Sequence, residues 1–192
     1  MRISVLQHAG FEHAGILRDF MRDDGIVFDV TALDEGDALP KLDKYDALIV
    51  LGGPMAPLDY DSHPWLASET ELVRQAVAER ALPTLGICLG HQLIAQALGG
   101  SLSLLEKTEV GVVDITLNEA GKRDPLFAGL EATSPGLQWH DWQIGELPPG
   151  AIPLAHSDGC AIQAMRAAPR AWGVQFHIET CASTVSEWHE PP

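Results

Sequence analysis

Apolar positions along the chain fall into two regimes. In the first half, short apolar runs alternate with stretches of helical spacing. ISVLQ (3–7) reads as a strand, followed by a glycine-containing loop and a helical stretch near 14–24. FDVTAL (28–33) reads as a second strand, and YDALIVLGG (45–53) as a strongly apolar one that ends in glycines. Over residues 64–81, Leu66, Leu72, Val73, Ala76 and Val77 gather on one side of a helix, with charges opposite and Pro64 in the first turn. PTLGIC (83–88) is a strand, and LGHQLIAQALGG (89–100) is a helix stopped at Gly99–Gly100.

Strands and helices that alternate through short connections predict a parallel sheet covered on both faces. The right-handed crossover rule makes that sheet doubly wound. The second half is richer in strands: SLSLL, VGVVDITLN, GLQWHDWQI, AIPLAHS, CAIQAM and AWGVQFH, with a turn at Leu147-Pro148-Pro149-Gly150. Here the pattern predicts an antiparallel extension of the same sheet. TVSEWHEPP reads as the start of a final helix closed by two prolines.

Composition narrows the function classes. The 192 residues suit a single domain over 1–192, large enough to fold without a disulfide or a metal. No apolar run approaches the roughly 18–20 residues of a membrane helix, and MRISVLQHAG lacks the pattern of a signal peptide. A formal charge of −15 argues against nucleic acid and anionic membrane surfaces as partners. Three cysteines, at 88, 160 and 181, form an odd set without secretory features, which points to a reducing, cytoplasmic setting. No Cys-x-x-Cys spacing and no histidine spacing suggests a metal site, so neither metal nor cofactor is expected. His8, His13, His63, His140, His156 and His189 read as ordinary loop or surface histidines, with the mouth of a pocket as the alternative place for His8 and His13, which follow the first strand. The five tryptophans read as core or rim packing, and Cys160 and Cys181 as structural or incidental.

The candidate chemistry sits at three places. GICLGHQ (86–92) puts Cys88 between a strand and a helix, flanked by Gly86 and Gly90. Small flanking residues permit the sharp, strained turn of a nucleophile elbow, which lifts a side chain above the carboxyl ends of the strands. The helix N-terminus that follows favours thiolate over thiol. AWGVQFHIE (171–179) delivers His177 and Glu179 at a strand end, where residues two apart share a face. A carboxylate there can hold one imidazole nitrogen while the other faces the cysteine. Leu51-Gly52-Gly53-Pro54 follows the apolar strand, and its glycines let backbone N–H groups approach a substrate. Together with the N–H of Leu89 they are candidates for an oxyanion hole. Taken singly, each motif has a bland reading: an inert buried cysteine, a surface His–Glu pair, a strand-ending turn.

In this order and at these separations, GICLGHQ, LGGP and GVQFHIE resemble the class I glutamine amidotransferases. The resemblance runs over nearly the whole chain. GGPMAPLDYDSHPWLASE, and EVGVVDITL followed by DPLF, look like stand-alone members related to the amidotransferase domain of GMP synthase. It implies an α/β, flavodoxin-like fold: a doubly wound, mainly parallel sheet with helices on both faces and an antiparallel extension in the second half. It implies Cys88 as nucleophile, His177 as general base and acid, and Glu179 as orienter. Gly53 and Leu89 become the oxyanion donors, with Gly52 and Gln92 as substrate contacts. Where the family often has proline between His and Glu, this chain has Ile178, which removes no catalytic group. Gln138 to Trp142 lie where the family places further glutamine contacts.

The implied substrate is glutamine or another γ-glutamyl small molecule, cleaved through a γ-glutamyl thioester. With no Gly-x-x-x-x-Gly-Lys-[Ser/Thr] phosphate loop in the chain, two fates of the nitrogen stand open. Either the chain is a free-standing hydrolase, or a separate synthetase subunit receives the ammonia. Self-association into a homo-oligomer is left open. The other classes are a cysteine protein of the DJ-1 type, against which LGGP and the His177–Glu179 strand argue, and a binding module with a degenerate site.

Overall fold

The computed structural model describes residues 1–188. Its strands are β1 (Arg2–Gln7), β2 (Val27–Ala32), β3 (Ala47–Val50), β4 (Thr84–Ile87), β5 (Ser101–Leu117), β6 (Thr133–Glu146), β7 (Ile152–His156), β8 (Ala164–Ala168) and β9 (Ala171–Val174). The helices are α1 (Leu17–Asp23), α2 (Trp65–Arg74), α3 (Leu89–Ala97) and α4 (Ala182–Glu187). His189, read above as a loop histidine, and the closing prolines lie outside the described residues.

All nine strands of the described residues join one sheet in the order β2-β1-β3-β4-β9-β8-β7-β5-β6. β2, β1, β3, β4 and β9 are parallel. From β9 onward the pairs are antiparallel, which is the extension predicted for the second half. The chain winds one way from β1 to β2 and the other way to β3 and β4, so a topological switch point lies beside β1. Ligands of open α/β sheets bind beyond the carboxyl ends of the strands at such a point.

Period-two alternation sorts the parallel strands between two apolar layers. Leu6, Leu48 and Val50 face one layer, with Leu66 and Val73 of α2 and Leu93 and Ile94 of α3. Ile3, Val5, Ile49 and Ile87 face the other, with Met21 of α1 and Phe127. Helices thus cover both faces of the parallel part of the sheet.

Three elements depart from the sequence reading. SLSLL and VGVVDITLN are one strand, β5, whose pairing with β6 is irregular between Leu104 and Glu109. The helix read over 64–81 is α-helical only to Arg74, and Gln75–Glu79 widen into a π-turn. Its buried face also carries a carboxyl group: Leu66, Glu69, Val73 and Ala76 are all fully buried. Finally, β9 stops at Val174, three residues before His177. Beyond it the chain leaves β4 and crosses to β6, where the His177 N–H bonds the Leu137 carbonyl at 2.9 Å. The last rung between β4 and β9 is taken by Cys88, whose N–H bonds the Val174 carbonyl at 2.8 Å. The rung cannot extend further because the chain after Cys88 turns away into α3.

That turn has no slack. A Cβ on Gly86 would run into the Gly90 carbonyl, and one on Gly90 into the Val50 carbonyl of β3. The Gly90 N–H bonds the Leu51 carbonyl at 3.1 Å, pinning the start of α3 to the end of β3. Gly90→Ala is therefore expected to lower the unfolding free energy by about 2–3 kcal/mol, the cost of overpacking a site that cannot relax, as read by urea denaturation.

Candidate active site

Parallel register brings the candidate residues together. Leu6 pairs with Val50, Val50 with Gly86, and Ile87 with Val174, so four strands end at one level. The next residues along each strand are His8, Gly52, Cys88 and the segment leading to His177. They line one edge of the sheet, around a pocket of about 320 Å³. Its wall includes Glu12, Gly53, Cys88, Leu89, Gln92 and His177.

Cys88 has φ +51° and ψ −105°, a conformation rare for a residue with a side chain. The strain is held by the two hydrogen bonds and the two glycine contacts just described. The residue caps α3, so its sulfur lies at the positive end of the helix. Only 5% of Cys88 is exposed, facing the pocket. The Gln175 amide donates to the sulfur at 3.6 Å. Burial pushes the Cys160 thiol up to about 11, so that cysteine stays protonated.

His177 Nδ1 lies 2.7 Å from Glu179 Oε1, and both residues are buried. Burial opposes the charged imidazole, yet the Cys88 sulfur, through charge and hydrogen bond, and the Glu179 carboxylate together raise its pKa well above 6.5. The three groups thus stand in the order sulfur, imidazole, carboxylate. Glu179 is seated by its own backbone, whose carbonyl accepts from the Ile16 N–H at 2.8 Å. Gly15, at φ +45°, clears room for that carbonyl, which a Cβ would strike. Trp188 covers His177 edge-on at 4.7 Å and donates through its indole N–H to the Phe11 carbonyl at 3.0 Å.

The remaining sequence candidates are also here. Gly52 faces the cysteine–histidine pair: a Cβ on it would lie 3.2 Å from His177 Cε1 and 3.6 Å from Cys88 Cβ, and would strike Glu12 Oε2. Gly53 is wedged so that a Cβ would come 2.8 Å from Leu89 and 2.9 Å from His8. Leu89 opens the first turn of α3, where a helix leaves its N–H groups without internal partners. Gln92 donates through its amide to the Trp142 carbonyl at 2.9 Å and to Gln175 Oε1 at 3.0 Å. Its NH2 is therefore committed inside the protein. Ile178, in the place of the family's proline, stands exposed.

Four residues of the site have partners and surroundings that the sequence does not assign. His8, read as a loop or surface histidine, is fully buried, with Nδ1 2.7 Å from the Gly52 carbonyl and Nε2 2.8 Å from Glu69. Its partner comes from the buried face of α2, and it stacks on Trp65 at 5.5 Å. His140, read the same way, is buried between the Trp142 carbonyl at 2.8 Å and Glu109 at 3.0 Å. Glu12 reaches the pocket from the loop after β1, and burial raises its carboxyl to about 6 against the pull of His177 and His8. Gln175 links Cys88 to Gln92. For His8 and its partner a sequence signal exists: Glu69 interrupts an apolar helical face, and His8 directly follows an apolar strand. Among the described residues no group of three His, Cys, Asp or Glu side chains is placed to hold a metal ion, and no helix is long and apolar enough to cross a membrane.

Comparison with known proteins agrees with this architecture. The family model described as glutamine amidotransferase class-I matches residues 18–187. The glutamine amidotransferase-like protein YfeJ of Salmonella typhimurium is 36% identical over 189 residues, covering 96% of this chain and 78% of YfeJ. One of the subunits of the glutamine-hydrolyzing GMP synthase of Pyrococcus abyssi is 40% identical over 110 residues, 57% of either chain. The crystal structure of a glutamine amidotransferase from Thermotoga maritima superposes with a TM-score of 0.90 at 28% identity, covering 98% of this chain and 80% of that one. The chain belongs to the class I glutamine amidotransferase family.

Proposed function

We propose that the chain hydrolyses the side-chain carboxamide of glutamine or of a γ-glutamyl compound, with Cys88 as nucleophile, His177 as general base and acid, and Glu179 as orienter. The observation that carries this reading is the strained Cys88 at the head of α3, beside a buried His177 held by Glu179 at 2.7 Å. Nucleophile, base and orienter are in sequence around one pocket, which is the arrangement covalent acyl transfer needs. The pocket is at the small end of ligand cavities, which favours an amino acid with at most a small appended group.

In the proposed reaction the Cys88 thiolate attacks the γ-carbonyl carbon, and the carbonyl π electrons move onto oxygen. The Gly53 and Leu89 N–H groups receive the oxyanion. The tetrahedral centre collapses, the C–N bond breaks, and the proton on His177 goes to the departing ammonia or amine, leaving a γ-glutamyl thioester. A water gives its proton back to His177 and adds to the thioester. Glutamate leaves and the thiolate–imidazolium pair returns. Gln92, with its NH2 tied inward, offers its oxygen to the α-ammonium group of the substrate. Gly52, whose missing side chain keeps the approach to Cys88 open, completes the contact surface.

A second reading concerns the nitrogen. The relative from Pyrococcus abyssi is by name one component of a GMP synthase, which favours a separate synthetase as recipient of the ammonia. The other fate is free-standing hydrolysis, with the ammonia or amine released to solvent. Turnover by the isolated chain distinguishes the two: a free-standing enzyme is fully active alone, whereas the glutaminase of a two-component enzyme is stimulated by its synthetase.

Cys88→Ala is expected to abolish glutamate release from glutamine and γ-glutamyl substrates while leaving thermal unfolding nearly unchanged; undiminished turnover would exclude the assignment. Glu12 gives a second prediction. Its carboxyl is raised in the folded chain from 4.5 to about 6, so folding favours its neutral form. The penalty is absent below about pH 4.5, grows as pH rises, and is complete above about 6, where it amounts to about 2 kcal/mol. Glu12→Gln should therefore unfold at a higher temperature than the parent at pH 7.5, with the difference vanishing near pH 4.5. Equal melting curves at both values would contradict this account of Glu12.

A further inference from the structure

The His8–Glu69 pair is fully buried, contacts no ligand position directly, and is used by no step above. Geometry fixes one of its protons. The Gly52 carbonyl only accepts, so His8 Nδ1, at 2.7 Å, carries a hydrogen and donates it. Nε2 lies 2.8 Å from a Glu69 carboxyl oxygen, so the two share a hydrogen bond. Burial opposes a charge on the ring, but Glu69 and the Gly52 carbonyl more than offset it, so the ring's pKa lies above the ordinary 6.5.

The atom that His8 holds is the significant one. The Gly52 carbonyl and the Gly53 N–H belong to one trans peptide, so they point in opposite directions. A hydrogen bond on the carbonyl therefore sets the direction of the N–H. Such a restraint is needed here because two adjacent glycines lack the Cβ atoms that would otherwise resist rotation of the peptide. The ring itself cannot swing, being stacked on Trp65 at an interplanar angle of 11° and held at its far side by Glu69.

We propose that the buried His8–Glu69 pair is a positioning device that locks the Gly52–Gly53 peptide, and so aims the Gly53 N–H at the oxyanion formed on attack by Cys88. This rests on the reading of the site as a γ-carboxamide hydrolase. His8 and Glu69 touch no reacting atom; they act through the peptide. Their effect falls on the transition state, where the oxyanion exists, and not on the bound substrate.

The test compares two amide substitutions of similar polarity. The side-chain nitrogen of His8→Asn falls near the position of Nδ1 and can still donate to Gly52. That of His8→Gln falls near Nε2 and faces Glu69. We expect His8→Gln to lower kcat for glutamine about 10- to 100-fold, somewhat less than the loss of a whole oxyanion donor, with KM little changed. His8→Asn should retain most of kcat. Alkylation of Cys88 by iodoacetamide, which forms no oxyanion, should proceed at the parental rate in both. Equal kcat for the two variants, or an alkylation rate that falls in step with kcat, would overturn the proposal in favour of a general structural role. If His8→Gln does not fold, Glu69→Ala, which frees the far side of the ring, carries the same comparison, and an unchanged kcat would overturn it. A crystal structure of the variant reads the lock without turnover: the Gly52 carbonyl should be rotated from its parental direction, and finding it unmoved would refute the inference. Absence of glutamine hydrolysis by the parent chain would instead count against the proposed function and leave the crystallographic result to decide on the lock.

Discussion

Everything at this site depends on two backbone hydrogen bonds that hold a cysteine in a conformation it would not choose. The Cys88 N–H takes the last carbonyl of β9 at 2.8 Å, and the Gly90 N–H takes the Leu51 carbonyl after β3 at 3.1 Å. Between them the chain must turn from a central strand into a helix within two residues. It does so at a positive φ that carries a cost of order 1–3 kcal/mol, sustained by the packing around it. Because the neighbours on both sides of β4 are parallel, their carboxyl ends arrive at the same level. The turn that strains Cys88 therefore also places it among the ends of β1, β3 and β9. Strain, helix-end electrostatics and the gathering of partner residues are consequences of one topological fact.

Ionisable groups around that turn are mostly paired where they are buried. The pocket wall holds Glu12 and His177, with Glu179 behind His177 and the His8–Glu69 pair nearby. Glu69 and Glu179 each place one oxygen 2.7–2.8 Å from an imidazole nitrogen, while the other oxygen of each is buried without a partner. The third, Glu12, is not hydrogen-bonded to a ring and accordingly has its carboxyl raised by burial. The two histidine pairs divide the labour by position: one lies across the pocket from the elbow and meets the sulfur, the other lies beneath the glycine loop and meets its backbone.

Much of this is legible in the sequence. The alternation from β1 to α3 specifies the parallel half, and GICLGHQ, LGGP and GVQFHIE are enough to identify Cys88, His177, Glu179 and the glycine loop as one constellation. What escapes is what depends on register and long-range packing. His8 looks like a loop histidine because nothing local says that the loop after β1 is roofed by Trp65 from α2. Glu69 breaks an apolar face, but its partner lies sixty-one residues away and only the fold joins them. His177 reads as the end of a strand, whereas it stands beyond β9 and is held by β6, because the last rung of the ladder belongs to Cys88. Gln175 and Gln92 are unremarkable polar residues in sequence; their roles come from the chain of amides that runs between the sulfur and Trp142.

The central claim is that Cys88 forms a bond to the side-chain carbonyl carbon of its substrate. The most direct measurement is mass spectrometry of the chain quenched in acid during turnover of glutamine, followed by peptide mapping. The account predicts a γ-glutamyl group on the peptide containing Cys88, labile to hydroxylamine as a thioester is. Glutamate release with no acyl group on any cysteine, or an acyl group carried by Cys160 or Cys181, would contradict it.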